Sequence, residues 1–180
     1  MSASVTVVTA SLPERAAMLA EAVASVAAQT VAVQSHLVGI DHARRGGAAM
    51  KNALASAATT EWVMVLDDDD LLLPEHVATL IANAGGADVV YSAPVVEGDP
   101  LFTLYDEPFS VEMLRRASIV SHTALIRTEL LLDLGGWPIV QGYDWHLWRS
   151  AADAGAKFKK IDGATWVYRL TPEWAHESRP

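Results

Sequence analysis

The amino-acid sequence predicts an α/β protein with a mostly parallel sheet that is covered by helices on both faces. Short apolar runs alternate with segments of helical periodicity, the runs are apolar on both faces, and 51% of the 180 residues are hydrophobic. Strands without polar alternation are typical of a parallel sheet that is buried on both sides. A chain of this length and composition is expected to form one domain with a large core.

The first half of the chain carries the alternation most clearly. Val5 to Thr9 is a β-branched run, and the Ala-rich pattern that follows Pro13 predicts a helix that ends near Ala27. Pro74 suits the first turn of a helix, where its missing N–H has no helical partner to lose. Further strands are expected at residues 36–40, 62–66 and 87–92, and further helices at residues 48–58 and 74–83.

The alternation weakens in the second half of the chain. Residues 93–109 contain three prolines and mixed polarity, which predicts an irregular crossover or short antiparallel strands. Ser110 is a suitable N-cap for the short helix that follows it. Helices are expected at residues 110–116, 129–134 and 143–154, and strands at residues 122–126, 158–161 and 165–168. We interpret residues 1–180 as a single domain with a regular half, 1–92, and a smaller, irregular half, 93–180.

Composition limits the classes of function. The 13 Lys and Arg residues against 22 Asp and Glu give a net charge of −9, which disfavours binding of nucleic acid through its phosphates. The sequence has no cysteine, which excludes disulfides, thiolate zinc sites and a cysteine nucleophile. No apolar run approaches the ~20 residues of a membrane span, and the N-terminus lacks the pattern of a secretion signal, so a soluble cytoplasmic protein is expected.

Four consecutive aspartates, Asp67 to Asp70, directly follow the predicted strand at residues 62–66. Ligands of open parallel sheets bind outside the carboxyl ends of the strands, and a run of carboxylates there repels itself unless solvent or a cation compensates. Oxygen ligands suit Mg²⁺ or Mn²⁺. If the backbone stays extended, Asp67 and Asp69 point one way, and Asp68 and Asp70 the other. The alternative is a solvated acidic turn without a ligand.

Further segments follow one another in a characteristic order along most of the chain. They are VTVVTASLPER (5–15), AVASVAAQT (22–30), HLVGID (36–41), KNAL (51–54), LDDDD (66–70), LPEH (73–76), GGW (135–137) and YDWHLWR (143–149). Each segment alone is weakly specific, but the ordered set resembles the family 2 glycosyltransferases, which are nucleotide-sugar enzymes of the GT-A fold. The resemblance implies a Rossmann-like sheet that binds the nucleotide sugar, followed by a smaller acceptor-side half.

The resemblance implies distinct roles for four acidic residues. Asp41 would accept a hydrogen bond from the nucleobase, Asp67 would contact the ribose or a metal-bound water, and Asp69 would bind the metal. Asp144 would be the general base, since an inverting displacement at an anomeric carbon needs a carboxylate to take the proton of the acceptor hydroxyl. The other nucleotide-sugar contacts that the resemblance implies are Ala10, Ser11, Leu12, Arg15, Lys51 and Asp68.

Aromatic residues and histidines complete the candidate site. Aromatic faces suit the apolar faces of sugars, so Trp137, Tyr143 and Trp145 are expected to contact the acceptor. His176 is the candidate for a further metal ligand, with a solvated histidine in the tail as the alternative. His122 lies on a predicted strand and is interpreted as a structural, partly buried histidine.

These observations predict a metal-dependent inverting glycosyltransferase that moves a hexose from a nucleoside-diphosphate sugar, with UDP favoured and Mn²⁺ or Mg²⁺ as cofactor, to a hydroxyl of an unidentified acceptor. A nucleotide-sugar-binding module without turnover remains an alternative. So does a sugar nucleotidyltransferase, although such an enzyme ordinarily has a Gly-rich, basic loop where this chain has Ala10 to Pro13. Bulk nucleic acid is not expected as a partner, and a homodimer could complete so small a site.

Overall fold

A computed structural model describes residues 4–97 and 105–170 of the chain. The strands in these residues are β1 (Val5–Ser11), β2 (Ser35–Ile40), β3 (Trp62–Val65), β4 (Leu71–Leu72), β5 (Val89–Glu97), β6 (Leu125–Arg127) and β7 (Phe158–Arg169). The helices are α1 (Ala16–Ala27), α2 (Gly47–Ala55), α3 (His76–Ala82), α4 (Val111–Arg116), α5 (Thr128–Asp133) and α6 (Tyr143–Asp153). None of these helices is long and apolar enough to cross a membrane.

The strands form one seven-stranded sheet in the order β2-β1-β3-β6-β5-β7-β4. β1 lies between β2 and β3 and is parallel to both, and β5 is parallel to β7 over most of its length. β6 runs antiparallel to both of its neighbours, and β4 runs antiparallel to β7. Most of the paired residues therefore lie in parallel ladders, and the predicted fold class is confirmed.

The apolar runs serve two cores, one on each face of the sheet. In β3, Trp62 and Met64 face the first core, whereas Val63 and Val65 face the second. The first core packs against α1 and α3, and the second packs against α2, α4, α5 and α6. Because both faces are covered, each residue of β3 is buried, which explains a run without polar alternation.

The strands of the second half differ from expectation. β4 was not expected, and it forms because Leu71 and Leu72 pair with the distant β7. β5 continues to Glu97, into a segment expected to be irregular, because β7 supplies hydrogen-bonding partners along it. β7 is one strand rather than two, with a register shift near Gly163, whose positive φ of 83° suits glycine.

Asn52 on α2 fastens the second half of the chain to the first. Its side-chain amide donates to the Trp137 carbonyl at 2.7 Å, and its Oδ1 accepts from the Trp137 N–H at 2.8 Å. Gly136 lies against the same amide with φ of 78°, and a Cβ at this position would come within 2.2 Å of Asn52 Oδ1. The GGW segment therefore needs glycine at residue 136 both for its backbone conformation and for this close approach.

His76 is a buried titratable residue whose protonation is expected to make the stability of the fold depend on pH. The ring is fully buried, its Nδ1 lies 2.6 Å from Thr165 Oγ1, and its Nε2 lies 3.3 Å from the Thr123 carbonyl. Burial lowers the pKa of His76 from 6.5 to about 4. The unfolded chain binds a proton at this imidazole more readily than the folded protein does. The contribution of the neutral, buried His76 to the free energy of unfolding is therefore complete above pH 6.5 and is lost as the pH falls towards 4.

We therefore expect the free energy of unfolding to fall more steeply between pH 6.5 and 4 in the parent than in His76→Gln, by up to ~3 kcal/mol. Urea unfolding at pH 7.5 and 4.5 measures the difference. His42→Gln, at an exposed position, is the matched control and should retain the steeper decline. Equal slopes for His76→Gln and the parent would contradict the prediction.

Candidate active site

A cavity of about 830 Å³ opens at the edge of the sheet where the parallel strands β1, β2 and β3 end. This volume is in the range of small-molecule sites. Ser11 ends β1, Asp41 directly follows β2, and the aspartates Asp67 to Asp70 follow β3. Residues 140–145, at the start of α6, form another part of the wall. The cavity therefore lies where open parallel sheets generally bind ligands.

The site residues expected from the sequence line this cavity, apart from Trp137 and His176. Those that line it are Ala10, Ser11, Leu12, Arg15, Asp41, Lys51, Asp67, Asp68, Asp69, Tyr143, Asp144 and Trp145. Trp137 is 2% exposed and packs in the second core, so the structure does not support the expected contact between its ring and an acceptor. His176 lies outside the described residues, and its role as a metal ligand stays a prediction.

The four aspartates do not alternate in direction as an extended backbone would require. The backbone turns after Asp67, and the Asp70 N–H donates to the Asp67 carbonyl at 3.1 Å. Arg15 then bridges the middle pair, with its guanidinium 3.1 Å from Asp68 Oδ1 and 2.5 Å from Asp69 Oδ2. Asp68 also accepts from the Ser11 hydroxyl at 2.5 Å. Asp68 and Asp69 thus share one cation, and the extended backbone on which the expected alternation depended is not formed.

The outer pair of the run shares a second cation. His122 Nε2 lies 2.9 Å from Asp70 Oδ2 and 3.8 Å from Asp67 Oδ2. Burial alone would lower the pKa of His122, but Asp67 and Asp70 raise it to about 9, so the imidazole is charged at neutral pH. Burial raises the pKa of Asp70, whose Oδ1 also accepts from the Arg169 backbone N–H. His122 is therefore buried, and it also pairs with two carboxylates that line the cavity.

Asp41, which lines the cavity just after β2, has one carboxylate oxygen without a hydrogen-bond partner among the described residues. Its Oδ2 accepts from the Gly46 N–H at 2.8 Å, and the backbone N–H groups of Arg45 and Gly46 lower its pKa. Its Oδ1 is buried without a hydrogen-bond partner among the described residues, and the Arg45 guanidinium is 3.9 Å away. Buried acceptors are normally satisfied, so this oxygen is suited to a hydrogen-bond donor on a ligand.

The Lys51 ammonium lies between the aspartate run and α6. Nζ lies 2.9 Å from Asp67 Oδ1 and 3.8 Å from Asp144 Oδ2, and it donates to the Tyr143 hydroxyl at 3.2 Å. Burial would lower the pKa of Lys51, but Asp144 and Asp67 raise it above its usual value. In turn, despite the opposing effect of burial, Lys51 and His122 lower the pKa of Asp67 to about 2.

Asp144 has the properties of a proton acceptor. Its Oδ1 is buried without a hydrogen-bond partner among the described residues, yet its side chain lines the cavity and is 25% exposed. Burial raises the pKa of Asp144, with Lys51 as the main opposing influence. The Trp137 indole also acts to lower this pKa, although Trp137 Nε1 makes no hydrogen bond of ordinary geometry among the described residues. A carboxylate with a raised pKa is a stronger base.

The donor set at the end of β3 is chemically suited to a hard divalent cation. Mg²⁺ and Mn²⁺ are commonly held by one or two protein carboxylates together with phosphate oxygens and water. Asp69 lines the cavity, and Arg15 engages its Oδ2. No group of three or more His, Cys, Asp or Glu residues arranged to hold a metal occurs within residues 4–97 and 105–170. Asp69 therefore fits a cation whose remaining ligands come with the substrate or from outside these residues.

Aromatic residues on the wall near α6 suit a flat or apolar group. Tyr143 and Trp145 line the cavity, as expected from the sequence, and are joined there by Tyr105 and Tyr168. Trp145 Nε1 donates to the Leu114 carbonyl at 2.5 Å, and Arg149 lies over its ring at 5.4 Å from the centroid. This hydrogen bond holds the indole in place, so that it can present a fixed aromatic surface.

The sequence reasoning missed several cavity residues. Tyr105 belongs to a segment that was expected to be irregular, and Tyr168 lies near the end of β7. His122 was interpreted as structural, but it precedes β6, which runs antiparallel to β3. The start of an antiparallel neighbour lies beside the end of β3, where the aspartates are. His122 could have been recognised from the sequence as a residue of the cavity only if the antiparallel direction of β6 had been known.

Comparison with known proteins gives a consistent result. The sequence profile of the family described as Glycosyl transferase family 2 matches residues 34–134, which is more than half of the chain. This match includes β2, α2, the aspartate run, His122 and the segment up to α5. No curated protein sequence matches the chain significantly.

Solved structures with the same fold share little sequence with this chain. The S. aureus TarS 1-349 structure in complex with UDP-GlcNAc has a TM-score of 0.79 at 16% identity and covers 98% of this chain and 61% of its own. The mannosyltransferase PcManGT from Pyrobaculum calidifontis, in complex with GDP-Man and Mn²⁺, has a TM-score of 0.75 at 17% identity and covers 98% and 60%. The chain thus spans about three fifths of the length of each of these two proteins.

Proposed function

Since the chain belongs to glycosyl transferase family 2, we propose that it transfers a hexose, with inversion, from a nucleoside-diphosphate sugar to a hydroxyl group of an acceptor. The observation that carries this proposal is the cavity in which Asp41, the aspartate run and Asp144 meet. Residues 1–92 would provide the nucleotide side of this site, and residues 93–180 the acceptor side. The related structures with bound UDP-GlcNAc and GDP-Man support a nucleotide sugar as the donor.

Uracil is the nucleobase that we propose for the donor. Its N3–H is a single donor between two carbonyl oxygens, and Asp41 Oδ1 is the single buried acceptor without a partner on that side of the described cavity. The other oxygen of Asp41 already accepts from Gly46. The N1–H and N2–H groups of guanine would use both carboxylate oxygens, so one of them would have to compete with that backbone hydrogen bond.

The proposed chemical step uses Asp144 as the general base on the acceptor side of the cavity. The Asp144 carboxylate takes the proton of the acceptor hydroxyl as the hydroxyl oxygen forms a bond to the anomeric carbon. The bond from that carbon to the diphosphate oxygen breaks on the opposite face, and the nucleoside diphosphate leaves with the electron pair. Asp144 must be ionised to act, and the Lys51 ammonium 3.8 Å away favours that state.

We propose that Asp69 holds a divalent cation, Mn²⁺ or Mg²⁺, with His176 as a further ligand. The bound cation would supply positive charge to the leaving diphosphate. The Mn²⁺ in the PcManGT structure supports this choice of cofactor. Asp67, held by Lys51 and close to His122, would contact the ribose or a metal-bound water. Arg15, which bridges Asp68 and Asp69, holds the turn that presents Asp69 to the cavity.

A panel of UDP-, GDP-, CDP- and ADP-sugars tests the proposal directly. With Mn²⁺, we expect slow release of UDP from at least one UDP-sugar, measured as free nucleotide, and faster release with neutral glycosides as acceptors. Metal-dependent UDP binding without release of nucleotide from any sugar would instead favour a binding module without turnover. The absence of binding to all four nucleoside diphosphates, measured by calorimetry, would contradict the proposed donor class.

The variant Asp41→Asn tests the choice of nucleobase. Its amide oxygen can still accept from Gly46 N–H, which leaves the amide N–H₂ to face uracil N3–H, donor against donor. We expect UDP affinity to fall by about 10- to 100-fold because a charge-assisted hydrogen bond is lost. CDP, whose cytosine N3 is an acceptor, should lose less affinity or gain some. Calorimetry with both nucleotides gives the ratio, and an equal change for the two would contradict the role of Asp41.

A further inference from the structure

Lys51 lines the cavity, but its ammonium group is enclosed mainly by protein groups. The side chain is 1% exposed, the lowest value among the paired cations of the described residues. Two of its three donors are directed at Asp67 Oδ1 and the Tyr143 hydroxyl. Asp144 is the other described carboxylate close to Nζ, with its Oδ2 at 3.8 Å. A phosphate would have to displace one of these groups to reach Nζ.

The position of Lys51 in the fold connects the two halves of the site. Lys51 is on α2, Asp67 lies two residues after the end of β3, and Asp144 is in the first turn of α6. Asn52, the next residue on α2, makes two hydrogen bonds to the Trp137 backbone and so fixes the chain that leads to α6. One helical turn therefore contacts both the aspartate run and the segment that leads to Asp144.

A buried cation in this place has an electrostatic cost that its partners must offset. Removing an ammonium from water costs several kcal/mol, and the loss of one partner leaves the other charge uncompensated. Lys51 has two carboxylate partners, and each of them also lines the cavity. The ammonium group is therefore better suited to setting the position and charge of these two carboxylates than to binding a third anion.

We propose that Lys51 is a positioning residue, which holds Asp144 and Asp67 on either side of the reacting bond and does not itself bind the donor phosphates. The proposal rests on the proposed role of Asp144 as the general base. It assigns Lys51 a role different from the nucleotide contact that the sequence resemblance implies. Lysine suits this role, because a compact ammonium fits between two carboxylates and a hydroxyl.

The groups around Asp144 determine what the loss of Lys51 would do. Lys51 and, more weakly, His122 and Trp137 lower the pKa of Asp144, whereas burial and Asp67 raise it. Tyr143 precedes Asp144 on α6, and the hydroxyl of Tyr143 contacts Lys51. Of the lowering influences, Lys51 is the strongest. Without it, Asp144 would need a higher pH to ionise.

The test compares Lys51→Met, which keeps most of the length of the side chain and removes its charge, with Lys51→Arg and with the exposed control Lys157→Met. For Lys51→Met we expect the acidic limb of the kcat profile to move up by about one pH unit or more. UDP affinity should fall by less than about tenfold, because Lys51 acts on the nucleotide only through the position of Asp67. Lys51→Arg restores the charge and should restore the acidic limb, and Lys157→Met should change neither property.

A titration by NMR of the ¹³C-labelled Asp144 carboxyl, without substrate, separates this proposal from the proposed function. We expect Lys51→Met to raise the pKa of Asp144 even if no donor is turned over. A loss of UDP affinity of about tenfold or more with an unchanged Asp144 titration would overturn the proposal, because it would make Lys51 a donor contact. If Lys51→Met does not fold, Lys51→Arg decides: weaker UDP binding with a parental Asp144 titration overturns the proposal, and parental values of both support it.

Discussion

Asp144→Asn is expected to lower kcat by ~10²–10⁴-fold, the range for loss of a general base. An amide has the same shape as the carboxylate but cannot take the proton of the acceptor hydroxyl. The KM for the donor should change little, because the residues proposed to contact the nucleotide, such as Asp41 and Asp67, follow the ends of strands rather than lying on α6. Steady-state kinetics with the best donor from the nucleotide-sugar panel gives both constants.

Asp153→Asn is the matched control for this variant. Asp153 is on the same helix, its side chain is 63% exposed, and it pairs with Arg115 on the surface. The variant Asp153→Asn removes the same charge at a distance from the cavity and should leave kcat unchanged. A kcat for Asp144→Asn within a few-fold of the parent value would assign the base to another residue. The parent should also show an acidic limb in kcat above the ordinary pKa of 3.8 for an aspartate, since burial raises the pKa of Asp144.

The location of the site could be predicted from the sequence, because it depends on strand direction alone. Asp41 and Asp67 each follow an apolar strand, and parallel neighbours end at the same edge of a sheet. The two residues therefore had to lie near each other wherever the helices packed. Asp144 could be assigned only through its resemblance to a family motif, since an acidic residue in the first turn of a helix is common for electrostatic reasons alone.

The partners of these residues could not be predicted, because they depend on contacts between distant segments. Lys51 meets Asp144 across 93 positions of the chain, and His122 meets Asp70 only because β6 runs antiparallel to β3. Trp137 illustrates a second limit. A tryptophan beside a predicted site is equally typical of a ligand contact and of a core residue, and the Asn52 hydrogen bonds that draw it inwards have no local signal.

Asp69→Asn is expected to abolish the metal dependence of UDP binding. All four aspartates line the cavity, but the side chain of Asp69 is more exposed than those of Asp68 and Asp70. Unlike Asp67, it pairs with only one cation of the described residues, so it is the member best suited to share a divalent ion with a diphosphate. We expect that Mn²⁺ increases the UDP affinity of the parent by about tenfold or more and that it has little effect on the variant. Calorimetric titration of UDP with and without Mn²⁺ measures both changes.

The fold should tolerate this variant, which makes the result interpretable. The Arg15 partner is 31% exposed and keeps Asp68, so the lost ion pair should cost no more than ~1 kcal/mol of stability. Asp162→Asn, at an exposed position on β7, removes the same charge and should keep the full response to Mn²⁺. A parental response in Asp69→Asn would show that other residues hold the cation. UDP binding that is equally tight without metal in the parent would place the diphosphate on Arg15, the described cation that bridges two aspartates of the run and is still partly exposed to the cavity.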